Sequence, residues 1–219
     1  MASRSPRAGS RKKPQQERSI AMVETLLEAA ARVFVKEGYG KATTNRIAAA
    51  AGVSVGSLYQ YFPSKDAIAV ELLRRYREGL MALIGARLGT ATPETFEEVV
   101  HDLLAELVRA EGINPALHRV LIEQVLRTTA RREMVGFEER LEAILGEALE
   151  RAGIALPDRE LAAFVLVRVV LAVVQGAVVD RPRYKTPALV DELTFLVVAY
   201  VKRKSVSTRD ASTPSTPGS

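Results

Sequence analysis

Residues 43–65 read TTNRIAAAAGVSVGSLYQYFPSK, and this stretch decides the fold of the first part of the 219-residue chain. It predicts two short helices joined by a tight turn at Gly52-Val53-Ser54. Gly52 permits the sharp reversal because a glycine enters the left-handed backbone region without steric cost. Small alanine side chains before the turn let the helices approach closely, and Leu58 packs across their contact. The stretch has the pattern of a helix-turn-helix unit, whose second helix can enter the major groove of DNA.

The second predicted helix leaves polar side chains on its outer face. Leu58 and Phe62 supply its inward stripe, so packing in the core is the less favoured interpretation for the two neighbouring tyrosines. Gly56 has no side chain to hold the helix away from a groove wall. The outward hydroxyl and amide groups, which suit a phosphate-lined groove, belong to Ser57, Tyr59, Gln60 and Tyr61.

The beginnings of the short helices supply further candidate contacts. Thr43 or Thr44 can cap the first helix, and Ser54 can cap the second. Free backbone N–H groups at such positions attract phosphate oxygens, so Ser54 is a candidate both as a cap and as a contact. Lys65 opens the next predicted helix, where its ammonium can pair with the DNA backbone; the alternative is a solvated surface charge.

The net charge is concentrated at the start of the chain. Residues 1–65 carry eleven basic and four acidic side chains, a net charge of +7, whereas residues 66–219 carry 20 basic and 22 acidic ones, a net charge of −2. A basic head on a near-neutral remainder indicates that one end meets a polyanion. We expect residues 1–18 to form a disordered basic arm, which is either a solubilising tail or an arm that touches nucleic acid. This segment lacks the apolar core of a secretory signal.

The composition argues against most catalytic classes. The chain has no cysteine, which excludes disulfides, thiolate metal sites and cysteine nucleophiles, and its only histidines are His101 and His118. Glu98 and His101 form a Glu-x-x-His pair, but a di-iron bundle needs that pair twice, and Pro115 stands where the second glutamate would be. We therefore predict no enzyme activity, no metal and no cofactor, with a metal-dependent helical-bundle enzyme as the distant alternative.

Apolar residues recur at helical spacing through the remainder of the chain, which predicts an all-α fold. The predicted helices cover residues 65–88, 93–111, a stretch from 115 onward, 131–152, 158–179 and 187–203. Residues 206–219, VSTRDASTPSTPGS, hold little apolar material, so we expect a disordered tail.

The segment 161–179, LAAFVLVRVVLAVVQGAVV, is apolar on all sides. A membrane span is disfavoured because Arg168 and Gln175 interrupt it, and a central arginine costs roughly 2.5–3.5 kcal/mol on insertion scales. A helix buried between two layers of protein fits this apolar pattern better than a membrane span does. Paired with 187–203, it would form a four-helix seam between two copies, and a deeply buried core within one chain is the alternative. The candidate seam residues are Val165, Val169, Val173, Leu193 and Val197.

The helix-turn-helix region closely resembles the TetR/AcrR family of bacterial transcription regulators. The resemblance covers about residues 19–80 and lies in Gly38-Tyr39, Thr43-Thr44, Ile47-Ala48, Ala51-Gly52-Val53-Ser54, Gly56, Leu58-Tyr59, Tyr61-Phe62 and Ser64-Lys65. It implies about nine helices, a homodimer and a roughly palindromic operator in double-stranded DNA. It also implies a DNA-binding domain at 19–65 and a helical domain for ligand binding and dimerisation at 66–205.

The same resemblance implies roles for individual residues. Thr44, Tyr59 and Lys65 would contact phosphates. Asn45, Val55, Ser57, Gln60 and Tyr61 would lie near base edges. Val55 is apolar, so it can read only a thymine methyl group or nothing at its position.

These observations lead to one functional hypothesis. We expect a cytoplasmic, dimeric, sequence-specific regulator of transcription, a repressor that a small apolar or amphipathic ligand releases from its operator. An activator and a DNA binder without a ligand are the alternatives. Polar residues near apolar segments are candidates for the ligand pocket, although each also fits a surface position; they are His101, Asn114, His118, Gln124, Arg127 and Gln175.

Overall fold

A computed structural model describes residues 12–109, 117, 130–177 and 181–211. Over these ranges the chain forms eight α-helices and no strand, which confirms the predicted all-α fold. The helices are α1 (Lys12–Glu37), α2 (Thr44–Ala51), α3 (Val55–Tyr59), α4 (Lys65–Leu88), α5 (Phe96–Arg109), α6 (Ala130–Arg151), α7 (Arg159–Gln175) and α8 (Pro187–Ala211), with a 3-10 turn at Pro182–Tyr184. The helix predicted from residue 115 onward lies outside the described residues except for Leu117, which is helical.

Both outer helices extend further than the sequence composition suggested. Helix α1 begins at Lys12, inside the segment 1–18 that was expected to be disordered, and α8 continues to Ala211, inside the expected tail. Once packed turns have nucleated a helix, each added residue gains a backbone hydrogen bond. Pro14 lies in the first turn of α1, where a proline is tolerated. Composition takes no account of a neighbouring helix that can be prolonged, and the bounds of the arm and the tail stay predictions.

The chain divides into two compact units within α4, between Arg74 and Arg75. The sequence placed this boundary between residues 65 and 66. The structure moves it because the first half of α4 contributes to the core of the first unit, where Ile68 and Leu73 are buried.

The core of the first unit is small and apolar. Leu26 and Phe34 of α1, Ile47 and Ala48 of α2, and Leu58 of α3 are fully buried. Helix α2 packs against both α1 and α3. Burial of one large apolar side chain contributes about 1.5–3 kcal/mol, so these contacts are sufficient to set the angle between the short helices.

The second unit holds two apolar clusters. Phe96 of α5, Leu149 of α6, Leu166 of α7 and Leu193 of α8 belong to the first. The second cluster includes Ile84 at the end of α4, Leu103 of α5, Phe137 of α6 and Val167 of α7. Adjacent residues of α7 thus enter different clusters, which explains why this helix is apolar on more than one side.

Arg168, in the middle of α7, contacts α6. Asp158 caps the helix by accepting a hydrogen bond from the backbone N–H of Leu161 at 2.9 Å. The Arg168 guanidinium lies 2.6 Å from a carboxylate oxygen of Glu138 and 3.5 Å from one of Glu142. Over the described ranges, no helix combines the length and the apolar character that crossing a bilayer requires.

Candidate nucleic-acid interface

Backbone caps fix the turn between α2 and α3. The Thr43 hydroxyl accepts a hydrogen bond from the N–H of Arg46 at 3.3 Å, so Thr43 is the N-cap of α2. Gly52 ends that helix with φ of 70°, the left-handed conformation that the sequence predicted for it. The Ser54 hydroxyl caps α3 by accepting from the N–H of Ser57 at 3.0 Å, and it also bonds the Ser57 hydroxyl at 2.8 Å. Local side chains therefore orient the beginnings of both helices.

A pair of hydroxyl groups links the two short helices. The Thr44 hydroxyl oxygen lies 3.1 Å from that of Tyr59, at the first residue of α2 and the last residue of α3. Tyr59 is 51% exposed, so it points outward as the sequence predicted. We call Thr44 and Tyr59 the hydroxyl pair. Hydroxyl groups at such a position can donate to phosphate oxygens.

The other residues predicted to contact DNA differ in solvent exposure. Asn45, Ser54, Gly56 and Gln60 are exposed, as is the cap residue Thr43, whereas Val55, Ser57 and Tyr61 are partly buried. A methyl group added at Gly56 would meet only the Ser54 hydroxyl oxygen, at 3.8 Å. The exposed backbone of Gly56 therefore gives α3 a side that another surface can approach closely.

Lys65 was predicted to contact a DNA phosphate, but in the structure its ammonium bonds to the protein itself. Its ammonium donates to the backbone carbonyls of Tyr39 at 2.8 Å and Ala42 at 3.1 Å, and lies 4.4 Å from the centre of the Tyr39 ring. The Tyr39 hydroxyl donates in turn to the Asp66 carboxylate. Sequence analysis did not assign a role to Tyr39 or Asp66. Tyr39 and Lys65 are separated by 26 residues, so no local pattern in the sequence predicts that they are in contact.

An ion pair joins α2 to the end of α1. The Arg46 guanidinium pairs with the Glu37 carboxylate and also reaches the backbone carbonyl of Lys41. This pair is partly exposed, so its main effect is to orient α2 and not to add much stability.

The five residues predicted to form the seam differ in exposure within the single chain. Leu193 and Val197 are only 3% and 5% exposed, and both belong to the apolar cluster that α8 forms with α5, α6 and α7. Val165 and Val169 are partly buried, while Val173 is exposed. Because α8 is apolar on two sides, the sequence does not show which side faces inward, and the seam stays a prediction.

The large apolar side chains that reach solvent on α7 and α8 form a different set. Phe195 is the most exposed of them at 72%. They are Leu161, Phe164 and Val173 on α7 and Phe195 and Leu196 on α8. Val173 lies on the opposite side of α7 from Phe164, nine residues away, so we call only Leu161, Phe164, Phe195 and Leu196 the α7–α8 face.

The candidate pocket residues do not converge in the described part of the chain. His101 lies at the surface, where its ring nitrogens are 3.5 Å from carboxylate oxygens of Asp102 and Asp191. Gln175 is exposed, and neither residue lines either of the two clefts described below. The assignment of both residues to a ligand pocket stays a prediction. His118, Gln124, Arg127 and Asn114 lie outside the described residues.

Clefts among the described residues of the second unit include one at each end of α7. The larger, about 650 Å³, runs along the loop between α6 and α7 from Gly153 to Glu160. The smaller, about 260 Å³, lies at the end of α7 and is lined by Val173, Gly176, Ala177, Arg181, Tyr184 and Leu189. No three His, Asp or Glu side chains of the described ranges lie close enough to hold a metal ion.

Two short capped helices around a left-handed glycine, with an exposed tyrosine bonded across them, define a helix-turn-helix DNA-binding protein. Residues 26–72 match the model of the tetR family of bacterial regulatory proteins, and residues 95–200 match the tetracyclin repressor-like C-terminal domain. The chain belongs to the TetR family and is a DNA-binding transcriptional regulator.

Individual relatives agree with this assignment. The nucleoid occlusion factor SlmA of Vibrio campbellii is 30% identical over 204 residues, which cover 89% of this chain and 100% of that protein. Among solved structures, the fatty acid degradation regulator FadR from Bacillus halodurans is 25% identical with a TM-score of 0.61, covering 80% of this chain and 94% of that one. GusR of Salmonella enterica is 20% identical with a TM-score of 0.69, covering 84% and 96%, and supports the fold alone.

Proposed function

We propose that this regulator is a homodimeric repressor, which binds a palindromic operator and leaves it when a small apolar or amphipathic ligand binds. The observation that carries the proposal is the combination of an outward hydroxyl pair with large apolar side chains of α7 and α8 that are exposed among the described residues. One copy presents a single recognition helix and can read one half-site. Two copies related by a two-fold axis match the symmetry of a palindrome.

The α7–α8 face supports the dimer. Its four large apolar side chains are exposed in the single chain, and a second copy packed on this face would remove them from water. Phe164 lies beside the Arg168 guanidinium, whose central carbon is 4.9 Å from the ring centre. The pairing of Arg168 with Glu138 and Glu142 lets that charge approach an interface without being left unpaired.

The proposed release from DNA is a shift between two conformations. In the binding conformation, the two recognition helices of the dimer lie about 34 Å apart, which is the spacing of successive major grooves. A ligand weakens DNA binding only if it binds another conformation more tightly. Helix α4 starts beside the helix-turn-helix and continues into the second unit, so it is the element that we expect to carry the change.

Buried polar groups in the second unit support an amphipathic ligand. Arg77 is only 8% exposed, and its guanidinium lies 5.4 Å from the centre of the Phe137 ring. Burial raises the pKa of the neighbouring Tyr76 hydroxyl, and the charge of Arg77 partly offsets this. Polar groups set among apolar walls are typical of small-molecule sites. The similarity to a regulator of fatty acid degradation supports the same ligand class.

Selection of genomic DNA fragments by the purified chain tests the proposal most directly. We expect the selected fragments to share an inverted repeat next to a promoter, and we expect deletion of the regulator to raise transcription from that promoter. A panel of saturated fatty acids, added to the complex with the selected fragment, should contain members that release the DNA. Selection of single half-sites would contradict the dimer, and lowered transcription after deletion would identify an activator.

A second candidate function follows from the full-length similarity to SlmA. The name of that relative refers to the nucleoid as a whole, whereas a repressor acts at the promoters it controls. Chromatin immunoprecipitation separates the two functions. Binding sites spread over the chromosome without changes in nearby transcription would favour nucleoid occlusion, whereas a few promoter sites would favour repression.

A further inference from the structure

We infer that the smaller cleft, at the C-terminal end of α7, is a binding site for a small monocarboxylate with an apolar body, the chemical class of benzoate. This site goes beyond the proposed function, because binding here is a property of the chain free of DNA. Its lining does not include Arg77 or Phe137, the residues that support the proposed effector.

The cleft lies where the first apolar cluster of the second unit reaches solvent. Val170 of α7 and Leu189 of α8 pack against that cluster. Val173 lies three residues after Val170 and four before the buried Ala177, so it is on the inward side of α7. It is nevertheless 38% exposed, because the cleft opens beside it. An apolar group placed in the cleft would extend the core and cover this surface.

The cleft has open space for a molecule of limited size. Its volume of about 260 Å³ is roughly nine times the 30 Å³ that one water molecule occupies in the liquid. A single six-membered ring with one carboxylate is a molecule of this size. Gly176 lines the same space, and a methyl group added there would meet no heavy atom of the described residues within 4 Å.

Backbone hydrogen bonds hold the rim of the cleft in place. The N–H of Arg181 donates to the carbonyl of Gly176 at 2.8 Å, and the N–H of Tyr184 donates to the carbonyl of Arg181 at 3.0 Å. Both Arg181 and Tyr184 line the cleft. The rim is therefore formed before a ligand arrives, which lowers the entropic cost of binding.

Positive charge at the rim favours an anionic ligand. Residues 180–185, DRPRYK, carry three basic side chains and one acidic side chain, a net charge of +2. Arg181 is the one charged residue among the described residues that line the cleft. The Arg183 guanidinium donates to the Tyr184 hydroxyl at 3.1 Å, which leaves the proton of that hydroxyl for another acceptor. A carboxylate can accept from both the Arg181 guanidinium and the Tyr184 hydroxyl.

Methyl NMR of the DNA-free chain, titrated with sodium benzoate, locates the site. We expect the methyl signals of Val173, Ala177 and Leu189 to shift in a saturable way, with a dissociation constant of about 1 mM or lower. Shifts confined to Leu141, which packs with Phe137 in the second apolar cluster, would place benzoate elsewhere and overturn the inference. The absence of saturable shifts at Val173 and Leu189 would overturn it as well.

A variant that fills the cleft tests whether the open space is the site. Gly176 is helical with φ of −59°, so Gly176→Leu introduces no backbone strain and removes a residue of low helix propensity. We expect this variant to stay folded and to lose benzoate binding, because its side chain takes the place of the ring. Gly79→Leu, at an exposed helical glycine with open space around it, is the matched control and should bind like the wild type. Unchanged binding by Gly176→Leu would overturn the inference.

Removal of charge from the protein or from the ligand tests the proposed class. Arg181→Gln should weaken benzoate binding about tenfold, because a charge-assisted hydrogen bond is lost, whereas Arg203→Gln removes an exposed arginine of α8 and should have no effect. Benzyl alcohol keeps the ring without the charge and should bind about tenfold more weakly than benzoate. Acetate keeps the charge without the ring and should not saturate the site. Equal affinity for benzoate and benzyl alcohol, or no effect of Arg181→Gln, would overturn the assignment to carboxylates.

Discussion

The two units of the molecule are stabilised in different ways. In the first, single polar bonds set the position of individual residues: the Thr43 and Ser54 caps, the hydroxyl pair, and the bonds of the Lys65 ammonium to the loop carbonyls. In the second, two apolar clusters hold long helices, and ion pairs such as Arg159 with Glu150 lie at the surface. Directional bonds suit a surface that must match DNA closely, whereas apolar contacts are non-directional and allow helices to shift. The difference predicts distinct responses to substitution.

The largest effect is expected from charges placed on the α7–α8 face. Phe164→Glu combined with Phe195→Glu would bring unpaired carboxylates into the proposed seam, where each costs several kcal/mol. We expect monomers in sedimentation and operator affinity lowered by two orders of magnitude or more, a loss of about 2.7 kcal/mol or greater. The circular dichroism should stay helical because both phenylalanines are already exposed in the single chain.

Ala86→Glu is the control for the added charge, since Ala86 is exposed on α4. It should leave both the dimer and the operator affinity unchanged. A double variant of the two phenylalanines that still sedimented as a dimer would place the seam elsewhere.

The second largest effect is expected from truncation of one core residue in each unit. Leu58 and Leu149 are both fully buried, so Leu58→Ala and Leu149→Ala should each lower the free energy of unfolding by about 2–5 kcal/mol in urea denaturation. At temperatures where both variants remain folded, only Leu58→Ala should weaken DNA binding, because α3 then loses its contact with α2. Equal loss of DNA binding in both variants would erase the distinction between the units.

Removal of one helix cap from each unit should have a smaller effect. Ser54→Ala and Asp158→Ala each delete the side chain that accepts a bond from the first turn of a helix, at a cost of about 1 kcal/mol in unfolding free energy. Ser54→Ala should also weaken all operator sequences alike, as measured by fluorescence polarisation. A change of preference at a single base pair in that variant would point to direct base contact by Ser54.

The smallest change is expected for Gln60→Ala. Gln60 is exposed at the end of the recognition helix and forms no part of the apolar core of the first unit. We expect unchanged stability and a loss of about 1 kcal/mol of discrimination at one base pair, the lower end for a side chain that reads a base. Affinities for operators with each base at each position would measure it. Uniform weakening across all of them would assign Gln60 a positioning role.

Sequence reasoning succeeded where the structure depends on neighbouring residues. Thr43, Gly52 and Ser54 each act on backbone within four residues of themselves, so their cap and turn roles were readable. The outward direction of Tyr59 was also predictable, because Leu58 and Phe62 define the inward face. The predicted start of α4 at Lys65 is confirmed, and the Ser64 hydroxyl before it accepts a bond from the N–H of Ala67 at 3.1 Å.

Sequence reasoning failed where partners are distant along the chain. His101 was read as a pocket residue, yet it pairs with Asp191 in α8, and no local pattern reveals that contact. Leu193 and Phe195 are both apolar members of one helix, and only the packing of α5 and α7 decides that Leu193 turns inward. The contact of the Lys65 ammonium with Tyr39 was missed for the same reason, because the two residues are 26 positions apart along the chain.

The hydroxyl pair of Thr44 and Tyr59 has a consequence for the energetics of DNA binding. Two hydroxyl groups 3.1 Å apart use one of their two protons on each other, so one proton stays available for an outside acceptor. A phosphate oxygen can therefore take that proton without the internal bond being broken. The group that donates outward is polarised by the bond it accepts, which strengthens the new bond. Contact with the backbone of DNA would then complete a short chain of hydrogen bonds that exists in part before the encounter.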